Sequence, residues 1–334
     1  MKKIIVSVVI PCYNEEQTIQ QLLTAISSQT YLASQMEVII VDGLSTDGTR
    51  KQINEFFGKN PEFNLHVIEN PKKSIPSALN LGIKAAKGEI IVRMDAHAIP
   101  SSDYIELCVN ALQEGKGDNV GGVIDIRPGR DSWIARSISI ATAHPLGVGD
   151  ARYRWATTAG LSDTVAFGTY YRGKAIEIGL YDESLKINED YEFNSRLRAS
   201  GGKIWIDPAI RAVYYSRPDL RSLSKQYFNY GFWKFRMLKR FPSTLRWRQA
   251  MPPLFVIGLL MLLLLAIFQF FFFWIFLGIP VCYFIALVAG TIKIGLQKRE
   301  TGLILGVPVA IAVMHFSWGS GFWWSCFNPE RKGN

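Results

Sequence analysis

Cysteine is scarce. The four residues present among 334 (Cys12, Cys108, Cys282, Cys326) show no pairing pattern and two fall in apolar blocks, which excludes a disulfide framework. Charge is missing altogether over two long stretches: no Asp, Glu, Lys or Arg occurs in the 42 positions from Met251 to Ile292, nor in the 29 from Thr301 to Pro329. A cleavable export signal is also lacking. Lys2 and Lys3 precede an apolar run, but Ile4 to Ile10 is too short, ends at Pro11 and has no small-residue cleavage site, so it reads as a buried strand. Acidic residues are outnumbered 28 to 37, and nearly all of the resulting +9 sits in residues 217–248, where nine basic side chains face only Asp219. With 49% hydrophobic residues, the composition excludes disorder, a collagen-like repeat and a coiled coil.

The two uncharged blocks are membrane segments by length. A helix rising about 1.5 Å per residue needs roughly 20 apolar residues to cross a bilayer, so the first block suffices for two crossings and the second for one. Three hydrophobic segments are expected at 253–274, 276–294 and 301–325, with the first hairpin turn near Gly278 and Pro280. The basic stretch directly before them places residues 1–250 in the cytoplasm by the positive-inside rule, and Lys293, Lys298 and Arg299 belong inside as well. Arg331 and Lys332 would then end outside, against the rule; Pro308 and Gly319-Ser-Gly321 leave a re-entrant or interfacial path open for the last block. In isolation a basic stretch interleaved with Tyr227, Phe228, Tyr230, Phe232, Trp233 and Phe235 would suit nucleic acid. Beside a membrane helix it reads as an interfacial segment on anionic lipid, and no nucleic-acid partner is expected.

The first 120 residues alternate between short apolar runs and amphipathic helices, which predicts an α/β fold with a mainly parallel sheet and flanking helices. Strands are expected at Ile4–Ile10, Glu37–Val41, Leu65–Ile68 and Glu89–Met94, with Asn14 capping the first helix. Ligands of open α/β sheets bind at the carboxyl ends of strands. The residues there are Pro11-Cys-Tyr-Asn-Glu15-Glu16, Asp42-Gly-Leu-Ser-Thr-Asp47 and Asp95-Ala-His97. Any one of these could be a turn or a cap; three together converge on acids and amides.

With Asn188-Glu-Asp-Tyr-Glu-Phe193 and Arg196-Leu-Arg198 downstream, this series resembles a family 2 inverting glycosyltransferase of the GT-A fold, a Rossmann-like architecture. The Asp-Ala-His form, His144-Pro-Leu-Gly-Val-Gly-Asp150, Asp163-Thr164 and His315-Phe-Ser-Trp-Gly319 are similar to the ExoA-like succinoglycan glucosyltransferase branch. The resemblance implies that Asp42 contacts the nucleobase, that Glu15 contacts the nucleotide with Pro11 shaping its loop, and that Asp95 faces the donor diphosphate. It also implies Asp190 as catalytic base, with Glu189 second.

Asp95-Ala-His97 departs from the usual Asp-x-Asp. In an extended loop positions i and i+2 point the same way, so both side chains could ligate one divalent cation, Mn²⁺ being suited at least as well as Mg²⁺ by the imidazole. The alternative is that Asp95 alone holds the metal and His97 caps the next segment. Asn188 to Gly201 reads as a capped helix with Asp190 in its first turn, a position suited to a general base. Arg196, Lys225 and Gln226 are candidates for the diphosphate or acceptor. The pattern Gln-x-x-Arg-Trp is absent, since Ser243 stands three before Arg246, which argues against a processive synthase.

The expected organisation is a catalytic domain over 1–216, an interfacial segment over 217–250 and a membrane domain over 251–334. The expected activity is transfer from a nucleotide diphosphate sugar, most simply a UDP-sugar, to a polyprenyl-diphosphate-linked saccharide by a multi-pass protein of the cytoplasmic membrane. Two rivals stay open: transfer to a polyprenyl monophosphate, and a non-catalytic membrane assembly subunit that senses a nucleotide sugar.

Overall fold

The computed structural model describes residues 5–328; Lys2 and Lys3, weighed for an export signal, and Arg331 and Lys332, which run against the positive-inside rule, lie outside them. The chain divides into two units. One holds the chain up to Asp125 together with Ala151–Tyr214, the other Ile126–Asp150 and the chain from Tyr215 onward. The expected boundary at 216 falls beside this division. Linear reading does not separate residues 126–150, which belong with the long apolar helices.

In the first unit the expected runs become β1 (Val6–Cys12), β2 (Met36–Asp42), β3 (Leu65–Glu69) and β4 (Ile90–Arg93), paired parallel in the order β3-β2-β1-β4. Every residue of β1, β2 and β4 is buried, as strands covered on both faces must be. Helices α1 (Ile19–Ser27), α2 (Thr49–Lys59) and α3 (Ile75–Ala85) supply the cover. The α1 residues Ile19, Leu22, Leu23 and Ile26, spaced for one helical face, are each at most 1% exposed. Burying such a side chain contributes about 1.5–3 kcal/mol. Helix α3 lies so close to β1 that a Cβ on Gly82 would meet Val9 at 2.3 Å.

Beyond β4 the sheet is not parallel. β8 (Ala166–Tyr171) pairs antiparallel with both β4 and β6 (Asn119–Arg127), and β9 (Ile204–Tyr215) pairs antiparallel with β5 (Ala98–Pro100) and β7 (Gly160–Leu161). The fold class is the expected α/β one, but parallel order is confined to its first half. The first helix also starts later than expected. Asn14 adopts a left-handed conformation (φ 55°) and its Oδ1 accepts from Thr46 N at 2.9 Å, so it ties two loops together instead of capping α1, which begins after Thr18.

The second unit contains α5 (Trp133–Ala141), α6 (Pro145–Val148), the amphipathic α9 (Leu220–Arg240) and three long apolar helices, α10 (Trp247–Phe268), α11 (Phe271–Lys298) and α12 (Gly302–Phe327). Each of the three is long and apolar enough to cross a membrane. The hairpin turn falls at Gln269-Phe270, not near Gly278 and Pro280, and Pro280 lies inside α11. Gln269 is the only amide in the first uncharged block and was the overlooked signal.

The last block forms one continuous helix of 26 residues. Its glycines serve close packing: a Cβ on Gly321 would meet Phe228 O at 2.0 Å, and one on Gly231 of α9 would meet Trp318 O at 2.0 Å. Lys234 is fully buried on α9, with Nζ 3.0 Å from Thr244 O, and so is not part of the basic surface. The 126–150 insertion is fastened to these helices by Arg136 on Glu300 at 2.8 Å and by Asp150 on Arg246 and Arg248. Burial opposes ionisation of Asp150, but the two guanidiniums outweigh it and hold the carboxyl below its usual range.

Candidate active site

The site grows out of the carboxyl ends of β1, β2 and β4 and the first turn of α8 (Glu189–Ala199). The β1/β2 register sets Pro11 opposite Val41 and Cys12 opposite Asp42, so the first two loops leave the sheet side by side. Asp42 is fully buried: it accepts from Ser45 Oγ at 2.6 Å and from Arg50 Nε at 2.5 Å. Glu15 is the junction between loops. Its amide donates to Thr49 Oγ1 at 2.7 Å, its Oε2 accepts from Thr18 at 2.6 Å, and its Oε1 lies 3.0 Å from His97 Nδ1. Burial, reinforced by Glu15, Asp42 and Asp47, pushes the Cys12 thiol up, so it is not a thiolate nucleophile.

Asp95-Ala-His97 is not the extended loop expected. Ala98 N donates to Asp95 O at 3.0 Å, closing a turn. The two side chains are held by different partners, Asp95 Oδ1 by Arg93 (Nη2 3.2 Å, Nε 3.3 Å) and His97 by Glu15. Among the described residues no group of three His, Cys, Asp or Glu is placed to hold a metal ion. A cation held here by Asp95 and His97 would take its remaining ligands from substrate phosphates and water. A carboxylate against one ring nitrogen, as Glu15 is against His97 Nδ1, is the arrangement by which a metal-binding histidine is oriented. A carboxylate oxygen and an imidazole nitrogen are donor types that a divalent cation such as Mn²⁺ takes.

Arg93 is the residue that sequence reading passed over. It is buried, and its Nη2 also donates to Glu189 Oε1 at 3.1 Å, so one guanidinium links the β4 turn to the start of α8. Burial works against the guanidinium's charge, but Asp95 and Glu189 keep it firmly protonated. Glu189 is 5% exposed; desolvation pushes its carboxyl up to about 7, against the pull of Arg93 and with the help of Asp190. Asp190 is only half-buried, and its Oδ1 accepts from Tyr191 N at 2.7 Å. The overlooked signal was an arginine ending a wholly buried strand two positions before an aspartate, where period-2 alternation sets both on one side.

The rest of α8 is fixed from below. Tyr191 OH donates to Asp163 at 3.2 Å, Asn194 to Thr164 at 2.8 Å, and Phe193 stacks on Tyr181 with centroids 4.5 Å apart, so the Asp163-Thr164 motif anchors the helix. Arg196 does not reach toward a ligand. Its donors go to Glu192 and to the carbonyls of Ile178 and Leu180, which pins the preceding turn. Lys225 and Gln226 lie on α9 in the other unit, Gln226 donating to Tyr230 OH at 3.1 Å.

The family description "Glycosyl transferase family 2" matches residues 7–177, the span that carries the three strand ends. The chain belongs to glycosyltransferase family 2. This glycosyltransferase is 30% identical over 98% of its length, and 98% of the relative's, to a Methanococcus voltae dolichyl N-acetyl-α-D-glucosaminyl phosphate 3-β-D-2,3-diacetamido-2,3-dideoxy-β-D-glucuronosyltransferase. It is 31% identical to the succinoglycan biosynthesis protein ExoA of Rhizobium meliloti, over 97% and 96% of the two chains. Its fold is that of a mannosyltransferase from Pyrobaculum calidifontis solved with GDP-Man and Mn²⁺, with a TM-score of 0.59 at 20% identity over 93% of this chain and 86% of that one. The GT-A fold expected from the motifs is thus the observed one.

Proposed function

We propose that this enzyme is a membrane-anchored, metal-dependent inverting glycosyltransferase that moves a sugar from a nucleotide diphosphate donor, taken to be a UDP-sugar, to a polyprenyl-diphosphate-linked saccharide at the cytoplasmic face of the membrane. The observation that carries the reading is the chain of contacts from Glu15 to His97 and from Asp95 through Arg93 to Glu189, beside Asp190. It joins donor-side loops to an acidic helix start, as group transfer between two substrates requires. The names of the M. voltae and R. meliloti relatives and the three apolar helices support a lipid-linked acceptor.

Asp190 is the base of the reading. Of the two acids it is the accessible one, and it takes the proton of the acceptor hydroxyl as that oxygen bonds to the anomeric carbon and the nucleotide diphosphate leaves from the opposite face. Glu189, held by Arg93, positions the first turn of α8 and keeps a second carboxylate out of the reaction path. Pro11 and Glu15 shape the nucleotide loop, and Asp42 receives the base once the Ser45 and Arg50 contacts rearrange. Asp95 and His97 would hold the cation, which when bound neutralises charge growing on the diphosphate. Membrane-embedded protein incubated with nucleotide sugars and lipid-linked acceptors, with products weighed by mass spectrometry, tests this. A lipid whose mass rises by one sugar supports it; donor binding without turnover would convert the protein to a sensor, and gain only on a polyprenyl monophosphate would move the acceptor class.

A further inference from the structure

A groove of about 490 Å³ runs between α9, α11 and α12 in the second unit. Its size lies within the range of about 300–1,000 Å³ typical of small-molecule sites. Phe284, Val313 and Phe316 give it apolar walls, while Arg221, Ser224 and Ser317 stand together at its rim. Ser224 Oγ and Ser317 Oγ are 2.8 Å apart, a contact that uses one of their two hydroxyl hydrogens and leaves the other to donate to an anion. Arg221 is exposed in the first turn of α9, and Lys225, one turn on, is exposed on the same side. The one acid nearby in sequence, Asp219, is committed to capping α9 by accepting from Ser222 N at 2.9 Å. The positive end of the α9 dipole adds to the cationic rim.

We infer that this groove seats the phosphate end and first isoprene units of the lipid acceptor, an inference that rests on the reading of the enzyme as a lipid-linked saccharide transferase. The chemistry is complementary along its length. A polyprenyl phosphate joins one alkenyl chain directly to an anion, which matches an apolar trough lined also by a guanidinium and hydroxyls, with the Lys225 ammonium one turn along α9 from Arg221. A glycerophospholipid brings two acyl chains and a glycerol diester instead. Amphipathic α9 carries both features at once, since its exposed residues are basic and Leu223 and Tyr227 are buried against the helices that form the walls.

The test uses the full chain in nanodiscs with a diazirine-bearing polyprenyl diphosphate. Irradiation should label peptides containing Phe284 or Val313, and unlabelled polyprenyl phosphate should compete while phosphatidylglycerol at the same mole fraction should not. Val313→Trp, which fills the trough, should abolish labelling there; Arg221→Gln should raise the KM for the lipid acceptor about tenfold with the donor KM unchanged. Unfolding temperatures of both variants, measured alongside, separate loss of the site from loss of the fold, and each variant checks the other. Labelling that survives Val313→Trp, or equal competition by phosphatidylglycerol, would overturn the proposal. If sugar still passes to the lipid with unaltered acceptor KM in both variants, the groove is wrong and the transferase reading stands. If the parent protein neither binds nor glycosylates polyprenyl lipids, it is that reading which fails.

Discussion

Replacing Arg93 with Gln removes the cation shared by Asp95 and Glu189 and leaves Glu189 buried with Asp190 as its nearest charged neighbour. Breaking a buried ion pair from one side typically costs about 3–5 kcal/mol, because the remaining charge is uncompensated. That cost depends on pH in a definite direction. The Glu189 carboxyl already sits at about 7 in the folded protein, above the usual 4.5, so folding holds its proton more tightly than the unfolded chain does. Stability from this group is complete below about pH 4.5 and is lost as pH rises through about 7. Without Arg93 the carboxyl rises further. Apart from a pH-independent share from the lost Asp95 contact, the gap in stability between parent and variant should therefore be small near pH 5, where Glu189 is protonated in both, and widen by up to about 2 kcal/mol near pH 8.5, at about 1.4 kcal/mol for each pH unit above about 7. Denaturant unfolding of detergent-solubilised protein across that range measures it. Arg93→Gln combined with Glu189→Gln should recover most of the alkaline loss. A gap independent of pH, or a double variant no better than the single one, would refute the argument.

Asp190→Asn should lower turnover by about 10²–10⁴ with donor affinity nearly unchanged, read by single-turnover transfer and donor titration; a rate within a few-fold of the parent would hand the role to Glu189. Glu15→Gln should weaken Mn²⁺ binding about 10–100-fold by freeing the His97 ring, measured by paramagnetic resonance without turnover. An unchanged affinity would remove Glu15 from the metal's surroundings. Gly321→Ala should destabilise the second unit by about 1–3 kcal/mol, since its methyl would strike the Phe228 carbonyl, and unaltered thermal unfolding would contradict the close packing of α9 on α12.

What the sequence determined by itself is whatever periodicity and spacing encode locally. The four parallel strands fell within two residues of their expected ends because an unbroken apolar run bounded by turn residues has few alternatives. The strand-end acids, the helix starting at Glu189 and the three apolar helices were legible for the same reason. Only tertiary structure decided the rest. The antiparallel half of the sheet depends on β8 inserting between β4 and β6, a pairing that no local pattern specifies. The turn at Gln269 lay inside a block where every position is compatible with helix, and a single amide was its only mark in the sequence. Residues 126–150 join the long apolar helices through Arg136 and Asp150, charges whose partners lie 96 to 164 residues away. Arg93 gains its meaning only when α8 folds back to set Glu189 beside it, and Arg196, equally basic in the sequence, is turned by the same fold into a brace for Ile178 and Leu180. An ion pair forms between whichever side chains the fold brings within about 4 Å, and sequence distance carries no record of that.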